Sequence, residues 1–445
     1  MLYKQLEKKL QINIEQNNMQ PGEKLLSIRN LASLYSCSKN TIIKVLEELE
    51  KKEIIYSIPK KGYFVAKPTN KYKNTTEIID FLSAEPENSI LSSEKFYLSI
   101  KEIDLSSYVN KNTTDRLKRY VLDDLSNHQV FTTKDRLIFT TGSQQAIDIL
   151  INMPFPNKKT KILVEQPSYY GALCSAKLSN SDVIGISVKN YNIDLDELED
   201  IFKNNDIKLF YIMSRFHNPL GHSYSNKTKQ KIAELSDKYD VYILEDDFLG
   251  DLDLNSKSDP IFTFNPNGKI IYVKSFSKIL FPGLRVATVI LPKDLIKDFR
   301  YYKFCRDFST PSLSLEIIAN QFENGILVQH LTKMKKLYYL KMKEVKRCCY
   351  KYLPPSMYPY IPDTGFYFSL KLPDNISSRE LADVLKQKKI LVNSLDNCFI
   401  PKFQEINLIR LSISKVTFSD IDYGIKKLGK TVLELQKNKD SIFKY

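Results

Sequence analysis

The hydrophobic pattern changes character twice along the chain. Over residues 2–17, LYKQLEKKLQINIEQN, apolar side chains recur at Leu2, Leu6, Leu10 and Ile14. That i, i+4 stripe predicts one amphipathic helix. Pro21 and Gly22 break it. Ser27 is placed to cap a short helix over IRNLASLY, and Ser38 a second over KNTIIKVLEELEKK, in which Ile42, Val45, Leu46 and Leu49 share a face. Two β-rich runs follow, 54–57 and 63–66, joined by Pro59, two lysines and Gly62, a hairpin signal. Residues 67–77, KPTNKYKNTTE, are polar and aperiodic and predict a linker. Stretched at ~3.5 Å per residue, it reaches only about 40 Å. From residue 78 onward apolar runs alternate with helical segments: LIFTT (137–141), KILVEQ (161–166), DVIGISV (182–188), KLFYIMS (208–214), VYILED (241–246) and KIIYVKS (269–275). Such alternation predicts βαβ units and a mainly parallel, doubly wound sheet covered on both faces.

Composition narrows the class. The 445 residues suit two or three domains at roughly 150 each, and 42% hydrophobic with 27% charged residues is ordinary for a globular chain. No apolar stretch approaches the ~20 residues that span a bilayer, and the first residues lack a signal-peptide core, so a cytoplasmic protein without a membrane partner is expected. Six scattered cysteines without CxxC spacing suggest neither a zinc site nor a disulfide framework, and no metal is expected. The formal net charge of +14 points to an anionic partner, although a lysine- and asparagine-rich composition alone also produces such a charge.

Three helices and a basic hairpin predict a winged helix-turn-helix, whose second paired helix enters the major groove of double-stranded DNA. Ser38, Lys39, Asn40, Thr41 and Lys44 at its start become candidates for base and phosphate contacts. Arg29 and the wing lysines Lys60 and Lys61 are candidates for the backbone. The alternative is a small helical bundle with a solvated basic face.

Ligands of a doubly wound sheet bind beyond the C-terminal ends of its strands. There the sequence places Gly142-Ser143-Gln144 at a helix start suited to a phosphate, Tyr169 as an aromatic ring or a packed tyrosine, Asn218, and the pair Asp246-Asp247. That pair reads as a metal site or a coupled dyad, but no neighbouring histidine or third carboxylate completes a metal set. The segment SFSKILFPGLR (275–285) follows the last of these strands; by itself it also reads as a strand end running into a basic loop. In this setting the Lys278 amine suits an aldehyde, and Ser275, Ser277 and Arg285 suit a phosphate. An aldehyde and a phosphate on one aromatic ring describe pyridoxal 5′-phosphate.

The stretch PGEKLLSIRNLASLYSCSKNTIIKVLEELEKKEIIYSIPKKGYFVA resembles the DNA-binding domain of the GntR family of bacterial regulators. It departs at Lys39, where arginine is usual, and at the wing, PKKG, where a second glycine is common. Residues 78 to about 440 resemble fold type I aminotransferases, with GSQQA, EQPSYYG, HNPLG, EDD, SFSKILFPGLR and a late IRLS in the family's order. The resemblance implies a Schiff base between Lys278 and pyridoxal phosphate and pairing of Asp246 with the ring nitrogen. It further implies bonding of Asn218 to the ring hydroxyl, stacking of Tyr169, and a phosphate held by the amides of Ser143 and Gln144 with Ser275 and Arg285. Arg410 would take a substrate or effector carboxylate. Residues 365–368 and 408–414 look like strands of a smaller C-terminal α+β subdomain.

The combination is similar to the MocR subgroup of GntR regulators. The expected organisation is a winged helix-turn-helix at 1–66, a linker at 67–77, a large aminotransferase-like domain at 78–329 and the small subdomain at 330–445. It implies a homodimeric regulator sensing pyridoxal phosphate, with a possible amine or amino-acid effector of vitamin B6 or amino-acid metabolism. Phe248 stands where many relatives carry a tyrosine, which counts against the alternative of a working aminotransferase.

Overall fold

A computed structural model of the protein describes residues 6–7, 9–11, 13–14, 19, 22–51, 54–58, 61–66, 78–87, 111–179, 181–255, 257–401, 403 and 406–442. The chain divides into two compact units, Met1–Glu77 and Ile78–Tyr445. The expected linker and Leu2 lie outside the described residues.

In the first unit Ser27 accepts from the Asn30 amide at 3.2 Å and starts the helix Ile28–Leu34. After a turn the helix Lys39–Lys51 follows. Two short strands, β1 (Ile55–Ile58) and β2 (Gly62–Val65), pair antiparallel with Tyr56 opposite Phe64. Leu6, Leu10 and Ile14 pack with Leu31, Ile42, Val45, Leu46 and Leu49 into one core. The apolar stripes read from the sequence therefore face each other, and the fold is a winged helix-turn-helix.

The second unit begins with β3 (Ile79–Asp80) and contains β4 (Leu137–Thr140), β5 (Lys161–Gln166), β6 (Val183–Lys189), β7 (Asn192–Ile193), β8 (Ile207–Ile212), β9 (Tyr242–Asp246), β10 (Ile270–Ser275) and β11 (Ala287–Ile290). Strands β4 to β11 form one eight-stranded sheet in the order β4-β11-β10-β9-β8-β5-β6-β7. The five central strands, β10 to β6 in that order, run parallel, and β8, β9 and β10 are buried along their whole length, as a sheet covered on both faces requires.

Two strands of this sheet were not foreseen. β7 is a two-residue edge, and β11 returns antiparallel to β10 and inserts between it and β4. The return of β11 matters for the site. SFSKILFPGLR is the connection between two antiparallel neighbours, so both its ends stay at the C-terminal end of β10. Ser275 pairs with Ala287 across that connection, and Ala287 with Thr140 on β4.

Further along, β12 (Tyr367–Lys371) pairs antiparallel with β14 (Leu408–Ser412), while β13 (Ile390–Leu391) pairs parallel with β3. The 27-residue helix Ile326–Tyr352 runs unbroken across position 329/330. Among the described residues no helix is long and apolar enough to cross a membrane.

Candidate functional site

Parallel pairing sets Asp246, the last residue of β9, opposite Val273 of β10, so Asp246 and Ser275 emerge at the same sheet end. Asp246 is buried. Its Oδ2 accepts from the Tyr211 hydroxyl of β8 at 2.9 Å, and its Oδ1 is buried without a partner. Burial raises this carboxyl to about 7, although the Tyr211 bond and the Lys278 charge act to lower it. The adjacent Asp247 is used differently. It takes the Arg215 guanidinium, with Nε at 3.1 Å from Oδ1, and the Tyr272 hydroxyl at 2.5 Å. Burial pushes Asp247 up, but Arg215, the Tyr272 hydroxyl and the Lys274 charge together outweigh it and the net shift is downward. One acid of the pair is satisfied by Arg215 and Tyr272, and its neighbour, raised also by the Asp247 charge, keeps a free oxygen.

Lys278 is half-buried in the β10–β11 connection and donates to the Ala84 carbonyl at 2.8 Å. Burial, then the Arg410 and Arg285 guanidiniums, pulls its amine down to about 8. A neutral amine is the nucleophile toward an aldehyde, so this depression raises the reactive fraction near neutral pH.

Arg285 adopts a left-handed backbone (φ 50°, ψ 54°), sparsely populated for a non-glycine residue, and its Nη1 donates to Ser277 Oγ at 3.4 Å. Its guanidinium lies over Gly142, where an added Cβ would come within 2.5 Å of Nη2; Gly142 also has φ +79°. Gly142 precedes the helix Ser143–Asn152, whose N-terminus has no side-chain cap, so its amides remain as donors beside a fixed positive charge. Ser275 Oγ accepts from the Ser277 amide at 3.3 Å. The Gln144 side chain turns away, donating to the Gly171 carbonyl at 2.9 Å and Ser175 Oγ at 3.1 Å; only its backbone suits an anion.

Tyr169 precedes the helix Tyr170–Leu178. Burial, reinforced by the Asp246 charge, pushes its phenol up to about 12. Asn218 Oδ1 accepts from Arg410 Nη1 at 3.0 Å, and Arg410 Nη2 donates to the Leu82 carbonyl at 2.6 Å. Arg410 Nε is buried without a partner, and the guanidinium lies 4.7 Å from the Tyr367 ring centroid. Phe248 is buried and its ring lies 6.2 Å from that of Tyr367.

These groups fit pyridoxal phosphate on their own geometry. The orphaned Asp246 oxygen suits a protonated ring nitrogen, and the Gly142–Arg285 cradle suits a phosphate. Lys278 supplies the amine. Three participants were not read from the sequence: Tyr211, which orients Asp246, and the main-chain carbonyls of Leu82 and Ala84.

Two other clusters among the described residues carry metal-type ligands, Asp124 with His128 and Asp251, and Glu344 with Cys348 and Asp422. Each acid pair already holds a cation. Lys274 bonds Asp124 and Asp251 at 2.6 Å each, and Arg347 bonds Glu344 and Asp422 at 2.7 and 2.6 Å.

In the first unit Lys39, Asn40 and Lys44 are exposed along the start of the helix Lys39–Lys51, and Arg29 and Lys61 are exposed as well. Ser38 Oγ accepts from the Thr41 amide at 3.1 Å and shares a hydrogen bond with the Thr41 hydroxyl at 2.9 Å, so these two residues cap the helix. Lys60 lies outside the described residues. On the hairpin Tyr56 and Phe64 stack with centroids 5.7 Å apart.

Residues 68–428 match the aminotransferase class I and II family, and residues 2–65 match the bacterial regulatory proteins of the gntR family. The chain is 33% identical to the HTH-type transcriptional regulator YcxD of Bacillus subtilis, over 96% of this chain and 98% of that protein. It is 25% identical to the HTH-type transcriptional regulator NorG of Staphylococcus aureus, over 83% of this chain and 91% of that protein. The solved kynurenine aminotransferase of Pyrococcus horikoshii superposes with a TM-score of 0.74 at 23% identity, covering 81% of this chain and 92% of that one, which shows a shared fold. A gntR-type DNA-binding unit and a pyridoxal-phosphate-type aminotransferase body in one chain place this protein in the MocR subgroup of the GntR family of regulators.

Proposed function

We propose that the protein is a transcription regulator in which Lys278 captures pyridoxal phosphate and the loaded body changes how the winged helix-turn-helix engages its operator. The observation that carries this reading is the presence, in a chain with a gntR-type head, of a buried carboxylate oxygen without a partner in reach of the charge on a half-buried lysine. Asp246 would hold the ring nitrogen and Tyr169 the ring face. Asn218 would hold the ring hydroxyl, and the amides of Ser143 and Gln144 with Ser275 and Arg285 the phosphate. Bound there, the cofactor supplies an electron-withdrawing ring that can hold an amine covalently. Arg410 would recognise the carboxylate of an amine or amino-acid effector drawn from vitamin B6 or amino-acid metabolism.

In the head, Asn40 and Lys39 would read bases, while Lys44, Arg29, Lys60 and Lys61 would hold phosphates. A homodimer would present two heads to paired half-sites. The expected division, 1–66, 67–77, 78–329 and 330–445, would put its last boundary inside the helix Ile326–Tyr352, and the protein would act in the cytoplasm. The test is operator binding with and without pyridoxal phosphate; an effector shifts that balance only through its difference in affinity between the two arrangements.

A second reading, catalytic transamination, is favoured by the complete set of cofactor-type groups. Phe248 opposes it, since a phenyl ring cannot donate the hydrogen bond that a tyrosine there would supply. Steady conversion of an amino acid and a keto acid would establish this reading, and a single stoichiometric event would not.

A further inference from the structure

Four consecutive main-chain carbonyls at the start of the second unit each accept a hydrogen bond from the body. Phe81 accepts from the Ser412 amide at 2.8 Å, Leu82 from Arg410 Nη2 at 2.6 Å, Ser83 from Ser414 Oγ at 3.1 Å and Ala84 from Lys278 Nζ at 2.8 Å. The first and third donors are structural. The second and fourth are the two groups that the site offers to ligands.

The segment is anchored at both ends. Phe81 is fully buried and its amide donates to the Leu391 carbonyl at 3.0 Å, and at the far end the Glu87 amide donates to the Tyr338 hydroxyl at 3.1 Å. Between those anchors Pro86 is buried and Ala84 packs against the core, while the other side chains lie nearer the surface. Leu82 is 40% exposed, and Glu85, paired with Lys415, is also exposed. Residues 82–84 are therefore held on one side by the Asp80 carboxylate, which accepts from the Leu82 and Ser83 amides at 2.9 Å each. On the other side they are held through carbonyl oxygens, of which those of Leu82 and Ala84 present to Arg410 and Lys278 the acceptor that a carboxylate oxygen would present.

Resting on the regulator reading above, we infer that residues 82–85 are a self-supplied occupant of the effector end of the site, displaced in two linked steps. Condensation of the neutral Lys278 amine with an aldehyde forms one C=N double bond and expels water. Both amine hydrogens leave with the aldehyde oxygen, and Ala84 loses its donor. A half-buried carbonyl left without a partner is costly, so the segment gains a reason to open. Opening frees Arg410 from Leu82 and exposes its unpartnered Nε to a carboxylate. Cofactor capture and carboxylate binding then favour one another, and the coupling is reciprocal.

The test is hydrogen exchange of residues 82–85, followed by mass spectrometry on the full-length protein. In the first arm, cofactor-free wild type is compared with cofactor-free Lys278→Met, which removes the Ala84 donor without any ligand. In the second, wild type is loaded with pyridoxal phosphate, attachment being recorded by its visible absorbance. Exchange at least ten-fold faster than in cofactor-free wild type is expected in both arms, with the anchors at Phe81 and Glu87 unchanged. Unchanged exchange in Lys278→Met overturns the inference, and so does visible attachment without faster exchange. Should no cofactor attach, the regulator reading fails in its cofactor claim, while the first arm still decides the fate of the segment.

Discussion

The Tyr211 hydroxyl donates to Oδ2 of Asp246 at 2.9 Å and leaves Oδ1 of the same buried carboxylate free. This bond favours the ionised acid, which is the form that pairs with a ring N–H, against a burial that favours the neutral one. Tyr211→Phe should therefore raise the Asp246 carboxyl further and weaken cofactor binding at neutral pH by about ten-fold, the worth of one hydrogen bond to a charged group. Binding should be recovered as the pH is raised. A pH titration of cofactor affinity checks both the size and the direction.

Lys278 reaches its neutral, nucleophilic form at a lower pH than an ordinary lysine. The rate at which the cofactor-free protein captures pyridoxal phosphate should rise with pH and reach half its plateau near pH 8. A free lysine would do so near ~10.4. Stopped-flow absorbance measures this, and Lys278→Ala should show neither a visible band nor a product stable to borohydride.

Gly142 combines a positive φ with a guanidinium where its Cβ would lie. Gly142→Ala should displace Arg285 and strain the turn that opens the helix Ser143–Asn152. Cofactor affinity should fall by roughly ten-fold or more, since ~1.4 kcal/mol of lost phosphate binding is a factor of ten. Circular dichroism should show the fold retained, and equilibrium dialysis should report the loss.

In the head, Asn40→Ala should cost about 1–3 kcal/mol on a selected operator and relax its sequence preference. Lys44→Ala should instead weaken binding to all sequences and reduce the salt slope by about one. Binding isotherms at several salt concentrations, on operator and on random DNA, separate the two roles.

Much of this architecture was legible because its signals are local. The apolar stripe of Ile42, Val45, Leu46 and Leu49 fixes a helix face, and five of the six strand runs lead into the residues that build the site. β11 was missed because its four residues follow the tight turn at Pro282–Leu284, and nothing in ATVI shows which neighbour it pairs with. Tyr211 was hidden inside an apolar strand run, where one hydroxyl among core residues looks like packing. Asp247 could not be told from Asp246 until Arg215, on a separate strand end, was seen to take it. The carbonyls of Leu82 and Ala84 leave no trace in the sequence, because every residue carries one.

The central claim is that cofactor capture by Lys278 changes how the head holds DNA. The most direct measurement is the affinity of wild-type protein and Lys278→Ala for one operator, selected from random DNA by the cofactor-free protein, titrated with pyridoxal phosphate at constant salt. The account predicts an affinity that shifts several-fold in wild type as the visible band develops and stays constant in Lys278→Ala. Identical operator affinity in wild type before and after the band has fully formed would contradict it.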